Sequence, residues 1–188
     1  MHLEHFKLRT VMESDAEAIH AIYSPLVIGN SASFEVVPPS VDEIRERIHE
    51  TIKTLPWIVC EYENKVVGYS YACQHRKREA YTWCVELAVY IHLDWHKKGI
   101  GMLLYSKLFD ILRDLGYYNV YAGITTPNPG SIALHKKMGM TVVGSYTNVG
   151  FKQNKWHDVV WLQGTLQEHT VPPKTLKKFD SKQGEQLL

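Results

Sequence analysis

The chain has 188 residues, 45% of them apolar and 22% charged, a composition that suits one globular domain with a full core. Its formal net charge of +1 gives no overall field to attract nucleic acid, and no apolar run reaches the length of a membrane span. Cys60, Cys73 and Cys84 are an odd set whose spacing fits neither a disulfide framework nor a zinc ribbon, so free thiols in a reducing, cytoplasmic setting are expected.

Taken in order, residues 1–5 lack the apolar stretch of a signal peptide, and residues 6–10 read as a short edge strand. Ser14-Asp15-Ala16-Glu17 has the form of a capping box, opening a helix with Ile19, Ile22, Tyr23 and Leu26 inward. The loop Ser31-Ala32-Ser33-Phe34-Glu35 runs to Pro38-Pro39, where no helix can pass. A second capping box, Ser40-Val41-Asp42-Glu43, starts a helix that turns Ile44, Ile48, Ile52 and Leu55 inward. Residues 57–62 and 66–71 flank Glu63-Asn64-Lys65 and predict a hairpin. A basic loop, 74–81, carries His75, Arg76, Lys77 and Arg78.

Residues 85–91 are an apolar strand interrupted by one carboxylate, Glu86. The loop 92–98 then delivers the chain to Gly99-Ile100-Gly101. From there Ile100, Leu103, Leu104, Leu108, Ile111, Leu112 and Leu115 repeat at helical spacing, with Gly116 as the C′ residue. A strand over 118–124 follows, then the turn 126–131 into a short helix with Ile132, Leu134 and Met138 apolar. Residues 141–149 and 158–166 predict two last strands, paired across 151–156. The domain therefore spans 1–166, and the lysine-rich tail 167–188 is expected to be mobile or draped on the surface. The order predicts an α/β domain with a mostly antiparallel sheet, parallel where the two later helices cross over.

A helix that begins on glycines presents unpaired N–H groups and the positive end of its dipole, a site for a phosphate. The stretch His96-Lys97-Lys98-Gly99-Ile100-Gly101 is neither a Walker loop nor a dinucleotide fingerprint. Its two lysines favour a diphosphate over a plain solvated turn. Alternation along the strand puts Val85, Leu87 and Val89 on one face and Glu86, Ala88 and Tyr90 on the other. A cleft on the second face would bury Glu86 in part, the condition that makes a carboxylate a general base near neutral pH. Asn128, Ser131 and His135 gather at the start of the last helix, and the absence of a Gly-x-Ser-x-Gly elbow disfavours a serine hydrolase. His157 and Asp158 read as a structural pair, and no metal site is expected.

The motifs Arg78-Glu79-Ala80-Tyr81-Thr82-Trp83-Cys84-Val85-Glu86, Ala88-Val89-Tyr90, Asn128-Pro129-Gly130-Ser131-Ile132-Ala133-Leu134-His135, Val149-Gly150-Phe151-Lys152 and Trp156-His157-Asp158-Val159, with the glycine stretch at 96–101, resemble those of GNAT-type N-acetyltransferases. Within that superfamily the chain is most similar to the phosphinothricin N-acetyltransferase family. The resemblance implies a single-domain GNAT fold, a central mixed, mostly antiparallel sheet flanked by helices, and acetyl-CoA as co-substrate. By the same likeness the diphosphate would lie on Lys97, Lys98, Gly99, Ile100 and Gly101. His96 stands where the signature has Gln or Arg. The pantetheine would follow Leu87, Ala88 and Val89, with Asn128 and Ser131 as further contacts, and the Val89 amide would polarise the acetyl carbonyl.

Glu86 matches the family's general base, and His135 stands where many relatives place a tyrosine acid. The implied substrate is the α-amine of a small amino acid such as phosphinothricin or methionine sulfoximine, with Arg76 and Arg78 for its anion and Phe34, Glu35 and Tyr81 as the cleft wall. A homodimer is implied too. Another amine (an aminoglycoside, a polyamine or a protein N-terminus) or a non-catalytic CoA-binding module stand as alternatives.

Overall fold

The apolar alternation of the strand residues builds one seven-stranded sheet in the computed structural model, which describes residues 5–180. The strands are β1 (Phe6–Thr10), β2 (Trp57–Tyr62), β3 (Lys65–Gln74), β4 (Cys84–Ile91), β5 (Asn119–Thr125), β6 (Thr141–Lys152) and β7 (Lys155–Thr165). The helices are α1 (Ala16–Gly29), α2 (Val41–Ile52), α3 (Ile100–Leu115) and α4 (Pro129–Lys137). The sheet runs β1-β2-β3-β4-β5-β7-β6.

Among the described residues only β4 and β5 pair parallel. The expectation of parallel pairing at both later crossovers is corrected here. α4 links β5 to β6, but β7 folds back between them and pairs antiparallel with each.

Each face of the sheet has its own core. Ile58, Cys60, Ala72, Val85, Leu87, Val120 and Leu162 pack beneath α3, whose Leu104, Leu108 and Leu112 are fully buried. Trp57, Val59 and Tyr69 pack on the other face beneath Ile19 and Ile22 of α1 and Ile44 and Ile48 of α2. The capping box of α2 forms: Ser40 N donates to Glu43 Oε2 at 2.7 Å and Glu43 N to Ser40 Oγ at 3.2 Å. The Ser40 N–H, with the Ser40 hydroxyl donating to the same Oε2 at 2.9 Å, holds the Glu43 carboxyl below its ordinary range. The one predicted at Ser14 does not. Asp15 is the N-cap of α1, and both its oxygens are taken by Arg9, at 2.7 Å each.

Two further expectations give way to geometry. The last hairpin is longer than predicted, closing on Gln153 and Asn154 with φ of 52° and 57°, the mirror-image turn that matches strand twist. His157 and Asp158 do not pair with each other; His157 Nε2 donates to Lys152 O at 3.0 Å and Asp158 Oδ1 accepts from Asn148 N at 2.7 Å. As far as residue 180 the tail is tied to the domain. Trp83 Nε1 donates to Lys174 O at 2.7 Å, Lys177 N to Leu115 O at 2.9 Å, and Phe179 is buried in the α3-side core.

All three cysteines are free, with Cys60 pushed up by burial to about 12 and Cys73 to about 11, so neither is a ready nucleophile. Among the described residues no helix is long and apolar enough to cross a membrane, and no group of side chains could hold a metal ion.

Candidate active site

β4 and β5 are joined only at their beginnings, through Cys84↔Asn119, Val85↔Val120 and Glu86↔Tyr121. Beyond that point the two strands diverge, and Leu87 to Ile91 have no ladder partner across the gap. Such an unpaired strand edge offers backbone donors and acceptors to an extended guest. Glu86 stands where the gap begins, on the α1/α2 face with Ala88 and Tyr90, while Val85, Leu87 and Val89 turn toward α3.

Two helix starts flank the far end of the gap. At α3, Lys97 and Gly99 take positive φ of 61° and 83°, and the first intrahelical bond is Leu103 N to Gly99 O at 3.1 Å. The amides of Ile100, Gly101 and Met102 therefore have no partner within the helix. Gly101 permits α4 to approach, since an added Cβ would come 2.9 Å from Leu134 Cδ2. His96 is not presented to a ligand; its Nε2 donates to Ile91 O at 3.0 Å and ties the loop to the end of β4. Lys98 Nζ rests 4.2 Å from the Trp95 ring centre, and Lys97 is exposed. At α4, Asn128 caps the helix, its Oδ1 accepting from Ser131 N at 3.1 Å.

His135 lies one turn further on and is only 3% exposed. Its Nδ1–H donates to Ser131 O at 2.7 Å, so Nε2 is the acceptor and takes the Tyr105 hydroxyl proton at 2.9 Å. Burial lowers its proton affinity, opposed by the Ser131 carbonyl. Ser131 Oγ lies 3.4 Å from the same Nδ1, but that nitrogen carries the hydrogen given to Ser131 O and cannot accept the hydroxyl proton, so the contact is not a nucleophile–base pair.

On the Glu86 face, His75 Nδ1 meets Glu86 Oε1 at 2.9 Å, with side chains 12% and 28% exposed. The His75 ring stacks on Tyr121 at 4.4 Å and 13°, and meets Tyr81 edge-on at 5.7 Å. Trp161 closes the cluster over Gly123, where a Cβ would lie 3.2 Å from its ring. The α1–α2 loop forms the opposite wall. The Phe34 ring packs against Gly150, Tyr23 and Ser33 share a 2.7 Å hydrogen bond, and Lys152 Nζ donates to Ser33 O at 2.7 Å. Glu35 is held by Arg47 at 2.6 Å. Beneath that ion pair lies a cavity of about 180 Å³ walled by Tyr23, Trp57, Tyr69 and Tyr71. A larger cavity of about 380 Å³ by Arg9 sits at the far edge of the sheet, where Asp15 and Glu61 already neutralise the guanidinium.

The structure thus brings Glu86, Tyr81, Phe34 and Glu35 around one face of the gap and the 97–101 bend, Asn128 and Ser131 around its other end. Arg76 and Arg78 are exposed and have no ion pair among the described residues. His75, Arg47 and Lys152 were not singled out from the sequence as site residues. His75 had no legible signal: it is the pairing of Cys73 with Glu86 across β3 and β4 that seats it there.

The acetyltransferase (GNAT) domain family matches residues 8–161. The chain is 35% identical over 161 residues to the phosphinothricin N-acetyltransferase of Alcaligenes faecalis, covering 85% of this chain and 82% of that one. It is 32% identical over 167 residues to the L-methionine sulfoximine/L-methionine sulfone acetyltransferase of Salmonella typhimurium, covering 88% and 97%. A crystal structure of a phosphinothricin acetyltransferase from Sinorhizobium meliloti in complex with AcCoA superposes with a TM-score of 0.87 at 32% identity, covering 94% of this chain and 97% of that one.

Proposed function

The chain belongs to the acetyltransferase (GNAT) family, and from that membership we propose that it transfers the acetyl group of acetyl-CoA to the α-amine of a small amino acid of the phosphinothricin or methionine sulfoximine kind. The single observation that carries this reading is the gap between β4 and β5, with Glu86 at one end and bare helix amides at the other. The residues fit the carrier. The amides of Ile100 and Gly101, with Lys97 and Lys98 beside them, suit a diphosphate, and the Leu87–Val89 edge suits an extended pantetheine arm. Acetyl-CoA supplies an activated acyl thioester.

The rest is the work of the chain. Only a neutral amine is nucleophilic, so Glu86 drives removal of the substrate ammonium proton. The Val89 amide donates to the acyl oxygen as charge builds there. Phe34, Glu35 and Tyr81 bound the amine side, and Arg76 and Arg78, which have no ion pair, meet a substrate anion. Asn128 and Ser131, at the same end as the 97–101 bend, are further contacts for the carrier, and His135, through the Tyr105 hydroxyl, returns a proton to the thiolate.

A homodimer through β6 is part of this reading. β6 is an edge strand, and Val142, Tyr146, Val149 and Phe151 on it are each about half exposed, an apolar edge that a soluble protein covers. The free thiols support a cytoplasmic setting.

The test is Glu86→Gln. Turnover should fall by about 10²- to 10⁴-fold at neutral pH with acetyl-CoA affinity held within about twofold. An unchanged turnover would remove Glu86 from the chemistry. Free-CoA release over a panel of amines tests the substrate class, which fails if only large cationic amines react.

A further inference from the structure

We propose that the base is a dyad, in which His75 Nε2 takes the proton from the substrate ammonium and Glu86 holds the imidazole for that task. This rests on the acetyl-transfer reading above and divides the labour within its site. The geometry is that of an oriented histidine. His75 Nδ1 lies 2.9 Å from Glu86 Oε1, and since a carboxylate only accepts, Nδ1 must carry the hydrogen. That leaves the lone pair on Nε2, which has no hydrogen-bond partner among the described residues. Stacking on Tyr121 and the edge contact with Tyr81 fix the ring plane. A carboxylate on Nδ1–H sets the tautomer and stabilises the imidazolium that forms.

The proton balance is simple. One N–H bond of the ammonium breaks, its electron pair stays on nitrogen, and the proton goes to Nε2 and then to solvent. As the C–N bond forms and the C–S bond breaks, the amine sheds a second proton and the sulfur, keeping the bond pair, gains one. The sum is amide, thiol and one proton, with no other reactant. The groups facing His75 are Glu86 from β4, Tyr121 from β5, Tyr81 from the preceding turn and Trp161 from β7. Burial raises Tyr121 above its ordinary range, so near neutral pH the phenol is uncharged.

Two variants separate a base from a stacking platform. His75→Phe keeps a ring on Tyr121, and His75→Gln keeps an N–H for Glu86; neither has a nitrogen that titrates. In the full-length protein, with L-phosphinothricin or the best amino acid of the panel, both should lower kcat at least a hundredfold while KM for acetyl-CoA stays within twofold. Both should also alter the pH dependence of kcat/KM, and added imidazole should restore part of the His75→Phe rate. Wild-type turnover in either folded variant, or an unaltered pH profile in both, overturns the dyad while leaving the acetyltransferase intact. A wild-type protein that acetylates no amino acid removes the functional reading, and the dyad with it.

Discussion

Lys152 Nζ donates to the carbonyl oxygen of Ser33 at 2.7 Å, joining residues 119 apart in sequence. Beside it Gln153 Nε2 donates to Ile28 O at 3.1 Å and the Phe34 ring covers Gly150. The tip of the last hairpin therefore latches the α1–α2 loop that carries Phe34 and Glu35. Lys152 is 5% exposed and has no ion pair among the described residues. Burial lowers its proton affinity, against a smaller pull from Glu35.

The latch separates binding from folding. Lys152→Met removes a poorly compensated buried charge while leaving Ser33 O unpaired, two effects of opposite sign, so stability should change by less than about 2 kcal/mol. The loop, released, should raise KM for the amine at least tenfold with KM for acetyl-CoA unchanged. Steady-state kinetics with each substrate varied in turn, beside a thermal melt, decides it. Equal KM shifts for both substrates would count against a latch.

Gly150→Ala should act on the same loop through sterics, because an added Cβ would overlap the Phe34 ring. Overpacking of this kind costs about 1–3 kcal/mol, and urea unfolding measures it. A neutral result would mean that Phe34 moves aside without cost.

Stability should also report the buried His135. Burial holds its folded pKa below the ordinary value of 6.5. Between those two values the unfolded chain binds a proton that the folded chain refuses. This contribution is full above the unfolded value, is lost as pH falls toward the folded value, and then levels. The slope from one such group is at most about 1.4 kcal/mol per pH unit. Comparing urea unfolding of wild type and His135→Gln from neutrality down should show the shallower dependence in the variant.

The tail contributes to folding, although nothing in its periodicity says so. Phe179 is 6% exposed within the α3-side core, so Phe179→Ala should cost about 3–5 kcal/mol. A shift below about 1 kcal/mol would show that the tail merely rests there.

Much of this fold could be read from local signals. The α2 capping box, the glycines at both ends of α3 and the Glu63-Asn64 turn are short-range chemistry, and the backbone forms what they specify. The alternation about Glu86 also placed it on the correct face. What escaped was set by long-range pairing. Ser14 lost its capping role because it lies within the 3-10 turn Glu13–Asp15, which Arg9 anchors from β1 through Asp15. The latch at Lys152 and the Arg47–Glu35 pair join segments distant in sequence. His75 read as part of a basic loop because the β3–β4 register that seats it beside Glu86 has no sequence mark of its own.

The claim on which the rest depends is that acetyl-CoA lies along the β4–β5 gap with its diphosphate on the start of α3. Titrating acetyl-CoA into isotopically labelled protein and following backbone amide resonances tests it residue by residue. The largest shifts are expected at Gly99, Ile100 and Gly101 and along Leu87, Ala88 and Val89. Saturable binding that leaves those amides unmoved, or shifts clustered at the Arg9 cavity instead, would contradict it.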